Sequence, residues 1–140
     1  MAGEKMASKL LPGLSHKLCR QVQIKDLASE VGSGLVNVFS TAMLVAGMEE
    51  AAVATVQPFL EADQTTVGVG LDISHRAATP LNMQVCFQAT LLEISKNSRS
   101  LIFHVEAHDE MELIGEGTHR RVIVNKEEFE AKTANKAIGK

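Results

Sequence analysis

Tryptophan and tyrosine are absent from the 140 residues, and phenylalanine occurs five times. Grooves that hold single-stranded nucleic acid stack bases on aromatic side chains, and this chain has almost none to offer. A charge of one sign is also missing: 14 Lys and Arg against 17 Asp and Glu leave a formal charge of -3. That balance speaks against nonspecific binding to phosphate backbones. Cysteine is scarce. Cys19 and Cys86 stand far apart, whereas a structural zinc site gathers several Cys or His at short spacing and a secreted scaffold carries many more. Two buried, reduced thiols are the expectation. The only apolar run before Ser15 is short and broken by Pro12, too short for the core of a signal peptide. With no membrane-spanning run either, the expected compartment is the cytoplasm.

What is present is an aliphatic chain, 45% hydrophobic and rich in Met. Its length fits one domain over residues 1–140 with one core, the ends at 1–13 and 133–140 being loose. Phe39 to Val56 is the one long helical segment, and it is apolar almost all the way round. A helix without a wide polar face is enclosed by other elements or spans a membrane. Glu49 and Glu50 lie in its middle and each is costly in a bilayer centre, about 2.5 to 3.5 kcal/mol on insertion scales. An enclosed helix in a soluble domain is therefore expected, with Ser40 or Thr41 as its N-cap and Pro58 at its far end.

Around that helix the period changes to two. Ser15 to Ile24 reads as a half-buried strand. Between it and the helix, Gly32-Ser33-Gly34 forms a flexible approach, from which Leu35 and Val36 can fold over whatever site the helix carries. In Thr66 to His75 the residues Val67, Val69, Leu71 and Ile73 alternate with Gly68, Gly70, Asp72 and Ser74, so the glycines leave one bare patch on one face. Such a patch serves a ligand or a closely packed backbone. Strands at Met83 to Ile94, Leu101 to Asp109 and Leu113 to Val124 are joined by hairpin-length connections. Asn125, with Glu128 at the third position, starts a short helix through Ala131. An α+β protein follows, its antiparallel sheet wrapped around one helix.

Candidate chemistry is thin on local rules alone. Glu49 is placed among Val45, Val53 and Val56, where a carboxylate is costly unless hydrogen-bonded, paired or kept for a purpose. Glu50 points the opposite way from Thr41, and either acid, or neither, is a candidate. His75 ends the glycine-bearing strand beside an open loop. His104 and His108 share a strand face with Glu106, and His119 follows on the next strand. Alternating solvent-facing positions account for these histidines more simply than metal ligation, and no metal is expected.

The combination carries more. Phe39-Ser40-Thr41, Met48-Glu49, Pro58-Phe59-Leu60, His75 through Pro80, Ala107-His108-Asp109 and Ile114 through His119 together resemble the fluoroacetyl-CoA thioesterase branch of the hotdog-fold thioesterases, over about residues 15–132. The resemblance implies a hotdog fold, a homodimer or higher assembly whose sheets join edge to edge, and hydrolysis of an acyl-CoA thioester without metal or other cofactor. It implies catalytic roles for Thr41, Glu49 and His75, a substrate contact at Gly68, and a basic contact at Arg120 or Arg121. An aromatic lid residue of the fluoroacetate-specific enzyme falls near Leu35 and Val36 here, which implies a broader short-chain acyl substrate. Arg76, Arg120 and Arg121 are the candidate partners of the CoA phosphates.

Two other classes compete. A noncatalytic acyl-CoA or small-ligand binding module would keep the pocket, yet it needs no carboxylate in an apolar wall. Hydratase chemistry on the same fold wants an Asp and His pair on the central helix, which has neither.

Overall fold

The computed structural model describes residues 10–139. Five strands, β1 (Ser15–Gln21), β2 (Gln64–His75), β3 (Gln84–Ile94), β4 (Ser100–His108) and β5 (Leu113–Asn125), form one sheet in the order β1-β3-β4-β5-β2. All neighbours are antiparallel. A single turn, α1 (Ala28–Val31), precedes the long helix α2 (Thr41–Val56), and α3 (Lys126–Ile138) follows β5. The α+β architecture expected from the pattern, and the hotdog arrangement that the resemblance implies, are the ones observed.

Helix α2 starts after Ser40, whose backbone is extended. The Ser40 side chain accepts from the Met43 N–H at 3.1 Å, a cap worth about 1 kcal/mol. Leu44, Gly47, Met48, Ala51, Ala52 and Val56 bury against the sheet, where Val85, Phe87, Leu91, Phe103, Val105 and Ile114 complete the core. Each large aliphatic or aromatic side chain so enclosed contributes about 1.5–3 kcal/mol. Gly47 is a packing requirement, because a Cβ there would lie 2.3 Å from the Phe87 ring.

The enclosure is one-sided. Thr41, Ala42, Ala46 and Glu50 are exposed in the single chain, and Val45, Glu49 and Val53 are half-buried. The helix expected to be covered all round thus presents a mostly apolar open side. A sheet has only one face to give it, and none of the described residues lies across the other side of the helix.

Two further expectations change. Cys19 and Cys86 are neither reduced nor buried: they form a disulfide, Cys19 exposed and Cys86 half-buried on the sheet face away from α2. The cause is register, since β1 and β3 set them directly opposite each other, and cross-strand neighbours are close enough to bridge. The last helix runs to Ile138 rather than ending at Ala131; Lys132 to Ile138 is rich in Ala and Lys, good helix formers that continue a helix without tertiary support. Asn125 caps it as expected, accepting from the Glu128 N–H at 3.0 Å. No described helix is long and apolar enough to cross a membrane.

The turn after β2 is pinned from two sides. The Phe39 N–H donates to the Thr79 carbonyl at 2.9 Å, and the buried Thr79 hydroxyl donates to Asp109 at 2.9 Å. Asp109 also accepts from the Met111 and Glu112 N–H groups at 2.8 and 2.9 Å. One carboxylate therefore closes the β4–β5 turn and fixes the segment that carries His75 against the start of α2.

Candidate active site

The glycine strand does not keep its period. The pairing of β2 with β5 shifts between Gly68 and Gly70, a bulge that inserts Val69. A bulge flips the alternation, so the two glycines face opposite ways rather than sharing a patch. Gly68 faces α2, where a Cβ would meet a Glu49 carboxylate oxygen at 2.5 Å and Arg121 and His119 at 3.2 Å each. Gly70 faces Arg120, at 3.2 Å. Beyond the bulge Ile73 packs on the core, and His75, two residues on, shares its face.

His75 meets the first turn of α2. Its Nδ1 and the Thr41 hydroxyl share a hydrogen bond of 2.7 Å. Its Nε2 is buried and makes no hydrogen bond within normal distance and angle limits. Burial lowers the pKa of His75 below 6.5, with the Ala77 backbone opposing the shift, so the ring is neutral at pH 7. Thr41 and His75 line a cleft of about 340 Å³ with Ala28, Val36, Phe39 and Ala77. Val36 thus lies at the cleft. Leu35 does not line it and is 98% exposed.

Glu49 belongs to a second group. It sits eight residues after Thr41, about 12 Å along the helix at 1.5 Å per residue. Its company is not only apolar: Arg121 Nη1 donates to its carboxylate at 3.2 Å, and His119 Nε2 lies 3.8 Å away. The Glu49 side chain is 41% exposed. Arg121 is held on its other edges by Thr66, through Nε to the hydroxyl at 2.8 Å and Nη2 to the carbonyl at 3.0 Å. Burial lowers the Arg121 pKa, opposed by the Glu49 charge; the group stays a cation. Alternation along β5 decides between the two arginines, placing Arg121 at Glu49 and leaving Arg120 exposed on the other face.

His119 departs from expectation. It is not a solvent-facing histidine but 2% exposed, with Nδ1 2.8 Å from the Gly70 carbonyl and Nε2 3.0 Å from Arg121 Nη1. Its two-residue spacing from Arg121 was the available signal, since i and i+2 share a strand face. His104, Glu106 and His108 do face outward; Glu116 pairs with Arg76 at 2.6 Å and approaches His104 at 3.5 Å. One chain therefore joins Thr41 to His75, and Glu49 to Gly68, Arg121 and His119, and keeps the two groups apart.

Residues 22–127 match the family model of the fluoroacetyl-CoA-specific thioesterase. The fluoroacetyl-CoA thioesterase of Streptantibioticus cattleyicolor is 37% identical over 99 residues, 71% of this chain and 70% of that protein. A solved structure of the fluoroacetyl-CoA thioesterase FlK superposes with a TM-score of 0.85 at 29% identity, covering 91% of this chain and 97% of that one. A Thermus thermophilus thioesterase superfamily member superposes with a TM-score of 0.81 at 26% identity, covering 90% and 92%. With a sheet wrapped on one helix, a carboxylate held by Arg121 beside Gly68, and a family match across three quarters of its length, this chain belongs to the fluoroacetyl-CoA-specific thioesterase family.

Proposed function

We propose that the protein hydrolyses short-chain acyl-CoA thioesters to a free acid and the CoA thiol, and that a homodimer builds each site. The observation that carries the reading is the half-exposed Glu49 carboxylate, held by one cation against a strand position that only glycine leaves open. A binding module has no use for that carboxylate. The carbonyl carbon is attacked either by a water that Glu49 deprotonates or by Glu49 itself, in which case water then hydrolyses the mixed anhydride to free acid and Glu49; the C–S bond breaks and the thiolate leaves with a proton. His75, neutral and with a free Nε2, supplies or accepts that proton. Thr41 orients His75 and the substrate carbonyl, and N–H groups at the start of α2 or beside Gly68 are candidate donors to the oxyanion. These steps call for no metal or other cofactor.

The separation of the two groups argues for the dimer. Val45, half-buried, lies midway between Thr41 and Glu49 on α2. Two helices packed antiparallel about a two-fold axis near Val45 bring Thr41 of one chain to Glu49 of the other. The open apolar side of α2 and the outermost strand β2, where Val69 and Leu71 are exposed, supply the contact, and pairing removes an unprotected sheet edge. Arg76 at the cleft is the arginine free to meet CoA phosphates by exchanging its Glu116 partner, since Arg121 is committed to Thr66 and Glu49. Val36 at the cleft, in place of an aromatic lid, fits an acyl group broader than fluoroacetyl. The proposed compartment is the cytoplasm, and there the accessible Cys19–Cys86 bond meets reducing conditions.

The test is thiol release from a panel of short, branched, fluorinated and aromatic acyl-CoAs, with Glu49→Gln beside the unmodified chain. Loss of turnover with retained ligand binding is expected. Mixing Thr41→Ala and Glu49→Gln chains then restores part of the activity, because one site of each heterodimer is intact. Full turnover in Glu49→Gln sinks the chemistry; dead mixtures of exchanged chains sink the shared site.

A further inference from the structure

The mechanism above leaves His119 unused, although it is one of the few polar side chains wholly inside the sheet and helix layers. Its hydrogen bonds fix its state without appeal to titration. The Gly70 carbonyl can only accept, so Nδ1 carries a proton; an arginine nitrogen can only donate, so Nε2 carries none. Both contacts are within hydrogen-bond distance, at 2.8 and 3.0 Å.

We propose that His119 is a positioning residue: as a neutral imidazole it ties the bulge carbonyl of Gly70 to Arg121 and so fixes the cation that aims Glu49. Arg121 Nη1 has two hydrogens. One goes to Glu49 at 3.2 Å and the other to His119 Nε2 at 3.0 Å. Thr66 holds the opposite edge of the guanidinium, leaving the Nη1 end to His119 and Glu49. Glu49 is half-exposed and Arg121 is its only hydrogen-bond partner among the described residues, so a rotation of that end releases the carboxylate. The bulge belongs to the same device, because inserting Val69 at this point in the ladder turns the Gly70 carbonyl toward His119.

Burial of the ring, the dominant influence, and the Arg121 charge both lower the His119 pKa; the Gly70 carbonyl and the Glu49 carboxylate oppose them, and the net direction is down. No other titratable group is in direct polar contact with the ring among the described residues.

The proposal rests on the hydrolase reading of Glu49 for its kinetic consequence only, and the experiment separates the two. In the full-length labelled protein, long-range nitrogen NMR reads the His119 tautomer, with His119→Gln to assign the signal. A neutral ring protonated on Nδ1 at pH 7 is expected; an imidazolium, or a ring protonated on Nε2, overturns the proposal whether or not the protein hydrolyses anything. The kinetic arm compares His119→Asn, whose amide reaches Gly70 but leaves nothing at the Nε2 position, with His119→Gln, whose amide oxygen reaches Arg121. The Asn variant should lose about 10- to 100-fold in kcat through misplacement of Glu49 with KM nearly unchanged, and the Gln variant should recover most of it. Equal kcat in Asn and unmodified protein, or a Gln variant no better than Asn, refutes the positioning role. If neither variant folds, the tautomer decides.

Discussion

Replacing Gly68 with alanine separates activity from stability in a way few substitutions here can. The new Cβ would lie 2.5 Å from the Glu49 oxygen, whereas sustained contacts begin near 3.0 Å and ordinary ones near 3.4 Å. The carboxylate must therefore retreat by about 0.5–0.9 Å, and Arg121 Nη1 and His119 Cε1, each at 3.2 Å, block escape toward them. A displacement approaching 1 Å in a group that attacks or activates water costs on the order of 100-fold in rate. Folding should hardly notice. Glu49 is half-exposed and swings outward cheaply, and its pair with Arg121 at that exposure is worth at most about 1 kcal/mol. Alanine at a position without positive φ returns about 0.4–1 kcal/mol by restricting the unfolded chain. The assay is thiol release from the best acyl-CoA of the panel, run with a urea unfolding curve of the same preparation. Turnover within threefold of the unmodified chain would refute the reasoning, as would a loss of stability matching the loss of rate.

The disulfide closes a loop of 67 residues in sequence separation, for which the chain-entropy relation gives about 4 kcal/mol; Cys19→Ser, or treatment with a dithiol, should lower the urea midpoint accordingly, and an unchanged midpoint would show that the bond adds nothing. Gly47→Ala drives a methyl into the Phe87 ring and should cost about 1–3 kcal/mol as overpacking, read by the same unfolding curve, with no gain from improved helix propensity. Folding lowers the pKa of both His75 and His119 below 6.5, so the unfolded chain takes up protons first on acidification. Their contribution to stability is complete above about pH 6.5 and is lost as pH falls toward the lowered folded values; a urea midpoint that stays flat between about pH 7 and pH 5 would contradict this.

Much of the architecture could be read from period alone. The apolar run from Phe39, the Ser40 and Asn125 caps and all five strands depend on interactions within a few residues, which a single sequence displays. What escaped depends on register. Whether Cys19 meets Cys86, and whether Arg120 or Arg121 faces the helix, is decided by how two strands distant in sequence align. The bulge at Val69 adds a further twist, since period two counted along TVGVGLDISH puts Gly68 and Gly70 together and the inserted residue parts them. The open side of α2 escaped for another reason: an apolar face says that something covers it, without saying whether that cover comes from the same chain. Local pattern offers Glu49 and His75 only as candidates among others; the catalytic roles of Thr41, Glu49 and His75 come from a family resemblance, and their separation into two groups is visible only in three dimensions.

The buried His119 and the half-buried His75 show how valence assigns roles that charge alone leaves open. Both are held neutral by desolvation, and both stand beside residues proposed for catalysis. His119 has each nitrogen engaged, one donating to Gly70 and the other accepting from Arg121; taking a proton would break the second bond and set an imidazolium against a guanidinium. It can hold geometry but cannot pass protons without undoing it. His75 has one nitrogen engaged with Thr41 and the other free. A proton gained at Nε2 leaves the Nδ1 bond to the Thr41 hydroxyl intact, because that hydroxyl can accept as readily as donate. In the proposed mechanism, proton transfer therefore falls to the Thr41 end of α2 and carboxylate placement to the Glu49 end. In the proposed homodimer, the second chain joins the two ends.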